Sequence, residues 1–127
     1  RVHFLGKVED IPALLQQVDV VVLPTWDRWR KEGCPVALLE AMACAKACIA
    51  SNIPGSRDLI VDAEYGLLVP PENFDALAAA IHSLIQNPAQ REAFGLAARS
   101  RVVQSYTIER ETADHELIYT MIMEKAG

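Results

Sequence analysis

Two carboxylates and a row of backbone amides carry the chemistry that can be read from this chain. Glu32 and Glu40 stand seven residues apart in the stretch EGCPVALLEAMACAKACIAS, residues 32–51. Gly33 frees the backbone at the end of a loop. Pro35 suits a first helical position, where its missing N–H has no partner to lose. The amides of Val36, Ala37 and Leu38 then have no carbonyl four residues back inside the helix. They face outward at the positive end of the helix dipole, which makes an anion site suited to phosphate. A carboxylate is no ligand for phosphate, but it accepts hydrogen bonds from sugar hydroxyls. Phosphate donors flanked by carboxylates are what a nucleotide-sugar needs. Taken alone, the two glutamates read more simply. Glu32 is then an acidic residue near a helix start, stabilising by roughly 0.3–1 kcal/mol, and Glu40 a solvated helix-face residue.

The elements that hold these groups follow from the apolar pattern. Val36, Leu39 and Ala43 form one helical stripe, widened by Leu38 and Met42. Cys48, Ile49 and Ala50 suit a buried strand end. Upstream, Val2 to Leu5 reads as a strand closed by Gly6. Asp10 caps a short helix with Pro12 in its first turn and Leu14, Leu15 and Val18 as its apolar face. Val20 to Leu23 is an aliphatic run ending at Pro24, as in a strand buried on both faces. Strand, helix, strand, helix, strand implies parallel strands with right-handed crossovers, and ligands at the carboxyl ends of the strands. The Gly6-Lys7-Val8 turn and the loop from Pro24 to Cys34 lie on that edge.

The motif E-G-x-P-x-x-L-L-E-A-M-A, followed by an I-A-S strand end, resembles the nucleotide-binding half of retaining glycosyltransferases of the GT-B fold, family 4 (glycosyl transferases group 1). The resemblance continues through Pro54-Gly55 and through N-G-L-L-V-P-P, here Tyr65-Gly66-Leu67-Leu68-Val69-Pro70-Pro71. It implies a Rossmann-like parallel sheet with flanking helices, the C-terminal half-domain with its first two strand–helix units absent. It implies that Glu40 binds the ribose hydroxyls of the donor and that Glu32, the catalytic candidate, lies beside the transferred sugar. Gly33, Cys34, Val36, Ala37 and Leu38 hold sugar and diphosphate. Lys7 and Val8 approach the base through main-chain atoms, and Gly55, with Asp58 after it, borders the donor sugar. Lys7 as a plain solvated lysine and Pro54-Gly55 as a plain turn fit equally well. The family commonly has Gly where Ala45 stands and Pro where Ala47 stands, so the end of this helix is where the chain departs from the pattern.

The loop residues Trp26, Asp27, Arg28, Trp29, Arg30 and Lys31 have two readings: a sugar or acceptor path, or a loop packed on its own domain. Asp62-Ala63-Glu64 is the nearest approach to a D-x-D pair and reads as plain loop. No metal or cofactor is expected. After Asn73 the chain is helical. Leu77, Ala80, Ile81, Leu84 and Ile85 form one face, with His82 off it. Pro88 opens a second helix marked by Phe94, Ala97, Ala98 and Val102. Thr107 caps a third, with Leu117, Ile118, Met121 and Ile122 as its apolar positions. His3, His82 and His115 are scattered. Cys34, Cys44 and Cys48 contain no C-x-x-C pair and read as reduced thiols.

At 127 residues the chain is one domain by size, and the whole of it reads as a partial donor-binding domain. A net charge of −5 argues against nucleic acid. No apolar run approaches the ~20 residues of a membrane span. The chain begins at Arg1 rather than Met, which reads as a fragment. The expected partners are a nucleotide-diphosphate sugar, an acceptor sugar or lipid-linked sugar, and an absent N-terminal domain, in a cytoplasmic protein peripheral to the inner membrane. A fragment of this kind is expected to expose part of its last helix, to self-associate and to be inactive alone. A nucleotide-sugar epimerase of the same fold and a non-catalytic nucleotide-binding module are the alternatives, the second favoured by Ala45 and Ala47.

Overall fold

A computed structural model describes residues 1–26 and 33–126. Glu32 and loop 27–31 lie outside the described residues. The elements in chain order are α1 (Ile11–Gln16), β1 (Val20–Leu23), α2 (Val36–Ala43), β2 (Ala47–Ser51) and α3 (Pro54–Leu59), then β3 (Leu67–Val69), α4 (Phe74–Gln86), α5 (Pro88–Ser105) and α6 (Ile108–Ala126). The three strands are parallel in the order β1-β2-β3, with Val20 beside Ala47 and Ile49 beside Leu67.

β2 is the axis of the fold. Successive strand residues point to opposite faces, and both faces of β2 are covered. Cys48 and Ala50 meet Leu38, Ala41 and Met42 of α2, Leu59 of α3, and Ala98 and Val102 of α5. Ala47 and Ile49 meet Val69, Leu84 of α4 and Phe94 of α5. Burial pushes the Cys48 thiol up to about 12, so it is a neutral core group. Gly66 lets β3 begin close to β2: a Cβ there would lie 2.7 Å from the Cys48 carbonyl oxygen, and its φ of +151° is one that side chains avoid.

Three expectations are corrected here. Val2–Leu5 forms no strand, and Phe4 is 97% exposed. An extended segment becomes a strand only beside a partner, and among the described residues the sheet contains only β1, β2 and β3. The strand buried on both faces is β2, whereas β1 is an edge and half-buried throughout. Pro54-Gly55 is not a free-standing turn. Pro54 opens α3, where its fixed φ suits the first helical position.

The helix caps at Asp10 and Thr107 are as the sequence suggests. Asp10 accepts from the Ala13 amide at 3.0 Å, and Thr107 from the Arg110 amide at 3.3 Å. Asn73 and Asn87 do the same for α4 and α5. In α4 only Leu84 is buried and Ile85 is exposed, because the helix covers a single sheet face. Residues 108–125 of α6 are all exposed, including Leu117, Ile118, Met121 and Ile122. Among the described residues no helix is long and apolar enough to cross a membrane.

Candidate functional site

α2 is set by its buried stripe. Leu38, Ala41 and Met42 are all 0% exposed, with Leu39 and Ala43 flanking them. Val36, expected on that stripe, lies off it and is exposed. The reason is register. Pro35 is the N-cap and not the first helical residue, so Val36 opens the helix on its outer side.

That start is open. Pro35 has no N–H and no side-chain cap. Its carbonyl accepts from Leu38 at 2.9 Å and from Leu39 at 3.2 Å. Leu38, expected among the outward amides, is therefore already engaged. The amides of Val36 and Ala37 make no bond among the described residues. Glu40 follows Val36 by four residues and Ala37 by three, so all three share one face, about one turn or 5–6 Å along the axis. All three are exposed, as are Gly33 and Cys34 just before the helix. Two open amides at the positive end of the dipole and a solvated carboxylate one turn in can bind an anion and a hydroxyl-bearing group side by side.

The opposite end of α2 resolves the question raised by Ala45. The Ala45 amide donates to Met42 and the Lys46 amide to Ala41, both at 3.0 Å, which is a complete Schellman ending. Ala45 takes the left-handed conformation at φ 56° that glycine takes more readily. The departure leaves the geometry intact. α5 completes this end: the Arg99 guanidinium donates to the Ala43 carbonyl. Gly95 lies so close that a Cβ would come 2.0 Å from the Ala45 carbonyl oxygen.

Of the remaining candidates, Gly55 is buried in the first turn of α3, which starts at the carboxyl end of β2 beside α2. Lys7 is exposed and Val8 half-buried on the segment before α1. A cavity of about 340 Å³ adjoins Cys34 and Leu39, and its far wall is Tyr106, Asp114, His115 and Ile118. None of Lys7, Val8 and Gly55 lines it. Asp62 and Glu64 lie in loop, as expected. Cys34, Cys44 and Cys48 are all free thiols. Among the described residues no group of three or more His, Cys, Asp or Glu could hold a metal ion.

One structural unit was not visible in the sequence. Arg101 of α5 donates to the Leu59 carbonyl at 2.9 Å and the Asp58 carbonyl at 3.0 Å, at the end of α3. The Tyr106 hydroxyl also donates to the Asp58 carbonyl, at 3.0 Å. Arg101 sits over the rings of Tyr65 and Tyr106, 5.2 and 5.6 Å from their centroids. This clamp fixes the helix that carries Gly55. Its acceptors are backbone carbonyls more than 40 residues away in sequence, and such acceptors have no residue type to announce them.

Known proteins supply an independent measure. A family model described as glycosyl transferases group 1 matches residues 1–101. Over 90 residues the chain is 40% identical to an N,N'-diacetylbacillosaminyl-diphospho-undecaprenol alpha-1,3-N-acetylgalactosaminyltransferase of Campylobacter jejuni, covering 71% of this chain and 23% of that protein. Over 123 residues it is 33% identical to the lipopolysaccharide core biosynthesis mannosyltransferase LpcC of Rhizobium leguminosarum, covering 97% and 34%. The chain thus spans about a quarter to a third of the length of these relatives. The crystal structure of Anabaena Alr3699/HepE in complex with UDP superposes with a TM-score of 0.83 at 25% identity, over 94% of this chain and 32% of that one.

Proposed function

The chain belongs to the glycosyl transferases group 1 family, and from that premise we propose that it is the donor-binding part of a retaining, family 4 glycosyltransferase of the GT-B fold. The whole protein moves a sugar from a nucleotide diphosphate to an acceptor hydroxyl. The observation that carries this is the open start of α2, where the free amides of Val36 and Ala37 share a face with Glu40. The amides hold the diphosphate and stabilise the charge that develops on it as the sugar leaves. Glu40 accepts from the ribose hydroxyls. Glu32 orients the sugar, with Gly33 and Cys34 beside it. Gly55 borders the sugar, and Lys7 and Val8 approach the base. UDP in a structural neighbour and the sugar transfers named for the relatives support this reading. The intact helix ending at Ala45 removes one ground for a non-catalytic module.

The test is calorimetric titration of UDP, GDP and ADP into the whole protein, followed by transfer with the matching nucleotide-sugars. One of the three is expected to bind, and the product is expected to keep the donor's anomeric configuration by NMR. Failure of all three to bind removes the donor role. An inverted product removes the retaining mechanism alone.

A further inference from the structure

We propose that Arg101 is a positioning residue of the donor site: it closes the carboxyl end of α3 and so fixes where the start of α3, with Gly55, stands beside the transferred sugar. The inference rests on the glycosyltransferase reading above, which puts the donor sugar at Gly55. It adds a residue remote in sequence that sets the geometry there.

α3 is too short to hold its own place. It has six residues, which is under two turns. Its amino end has no side-chain cap, and Gly55 and Ser56 in its first turn are buried. The Ser56 hydroxyl has no hydrogen-bond partner among the described residues. A buried hydroxyl without a partner costs free energy that its neighbours do not return. The start of α3 therefore sits where it does at a cost, and the hold comes from elsewhere.

The carboxyl end supplies it. The last carbonyls of a helix have no partner within the helix. The Ile60 amide makes only the ordinary bond back to Ser56, with no Schellman pair after it. Arg101 takes over: its Nε donates to the Leu59 carbonyl and its Nη2 to the Asp58 carbonyl. Nη2 also donates to the Tyr106 hydroxyl at 3.3 Å, which in turn donates to Asp58. A cation is favourable at this negative end of the helix dipole. The guanidinium is itself fixed by the Tyr65 and Tyr106 rings, and Tyr65 directly precedes Gly66 at the entry to β3. Its planar fork sets direction as well as distance. One side chain thus ties α5 to the end of α3 and to the approach to β3.

α5 does this for two helices. Arg99 donates to Ala43, the last residue of α2, and Arg101 to the end of α3. Two residues apart, they point about 200° apart around α5 and so reach different neighbours. The two helices do not depend on them equally. α2 has its own Schellman ending and buries Leu38, Ala41 and Met42. α3 has no such ending and buries one large side chain, Leu59. Loss of Arg99 leaves α2 in place, whereas loss of Arg101 lets the start of α3 move.

The test uses the whole protein, with whichever of UDP, GDP and ADP binds and the matching nucleotide-sugar as probes. Arg101→Met keeps an apolar stem against the rings and removes every donor. Its kcat is expected to fall roughly tenfold, since a displacement of about 1 Å at a reacting group costs that much or more. Its calorimetric affinity for the bare nucleoside diphosphate is expected to stay level, because those contacts lie on α2. Arg101→Lys keeps the charge without the fork and is expected to recover part of the lost turnover. Arg99→Ala is the control for lost stability, with a lower thermal midpoint and parent-like turnover below it. Parent-like kcat in folded Arg101→Met overturns the proposal. So does a nucleotide affinity that falls in step with kcat, because the clamp then supports the domain as a whole and not the place of the sugar. If Arg101→Met does not fold, Tyr106→Phe, which removes a single hydroxyl, decides by the same two readings with an expected loss of about threefold in kcat. A parent that binds none of the three nucleotides sinks the donor reading itself, and the role of Arg101 in that site with it.

Discussion

The two ends of α2 are finished in opposite ways. At the carboxyl end the carbonyls of Ala41, Met42 and Ala43 each have a protein partner. Ala45 and Lys46 close the Schellman ending, Arg99 takes the Ala43 carbonyl, and α5 presses in at Gly95. At the amino end Pro35 supplies no donor and no cap, and two amides stay open among the described residues. The chain is able to cap helices, since Asp10, Asn73, Asn87 and Thr107 each do so elsewhere. Leaving a cap out costs about 1 kcal/mol. That cost is borne at the sheet's carboxyl edge, where a ligand can supply the missing acceptor, and not at the end that faces only protein. Stability should therefore depend on one end and ligand affinity on the other.

The largest effect is expected at the carboxyl end. Gly95→Ala places a methyl group against the Ala45 carbonyl, where only backbone stands to give way. Overpacking of this kind is expected to lower stability by about 3 kcal/mol, read from a urea titration with an unchanged m value. The folded variant should bind nucleotide as the parent does. A loss under half a kcal/mol would mean that the contact between α5 and α2 is not tight.

At the amino end, Glu40→Ala is expected to do the reverse. Glu40 is solvated and contributes nothing to the core, so the urea midpoint should not move. Binding of the nucleoside diphosphate should weaken by about 2 kcal/mol, the loss of a charge-assisted acceptor. Parent-like affinity would take Glu40 out of the ribose role, and a shifted midpoint would blur the contrast between the two ends.

Part of this contrast was legible in the sequence. Aspartate before Ile11, threonine before Ile108 and proline at Pro88 are local signals, because a cap is read within one turn. The open start of α2 was legible for the same reason, although Pro35 sits one position earlier than its residue type suggests. Long-range features were not. Val2–Leu5 has strand-like residues but no neighbour to pair with, and the half-burial of β1 depends on which strand lies at the edge. Pro54-Gly55 reads equally as a turn or a helix start until Leu59 and Ile60 are seen packed in the core. The partners of Arg99 and Arg101 are carbonyls, which every residue carries. The site divides along the same line. The amides and Glu40 come from one continuous stretch, whereas Gly55 joins them only once α3 packs beside α2.

Arg99→Ala probes the carboxyl end more gently. It removes one donor from the Ala43 carbonyl and leaves the Schellman bonds in place. Because the site is exposed, water can replace the guanidinium, and the expected loss is about 1–1.5 kcal/mol. Thermal unfolding reads it, with nucleotide affinity as the control that should stay level.

The smallest change runs in the other direction. Ala45 holds φ at 56°, a conformation that costs an L-residue roughly 1–2 kcal/mol and glycine almost nothing. Replacing alanine by glycine also loosens the unfolded chain, which offsets about 0.4–1 kcal/mol. Ala45→Gly should therefore stabilise the protein by about 0.5–1 kcal/mol. The space at Ala45 does not enter the balance, because the group pressed by Gly95 is the Ala45 carbonyl and not its side chain. The discriminating measurement pairs the urea midpoint with a nucleotide titration. A raised midpoint with unchanged affinity places the whole effect in the backbone of the closed end. If Ala45→Gly instead lowers the midpoint, the methyl group does packing work that outweighs its strain. If affinity shifts by a factor of ten, the two ends of α2 are coupled and the division of roles between them fails.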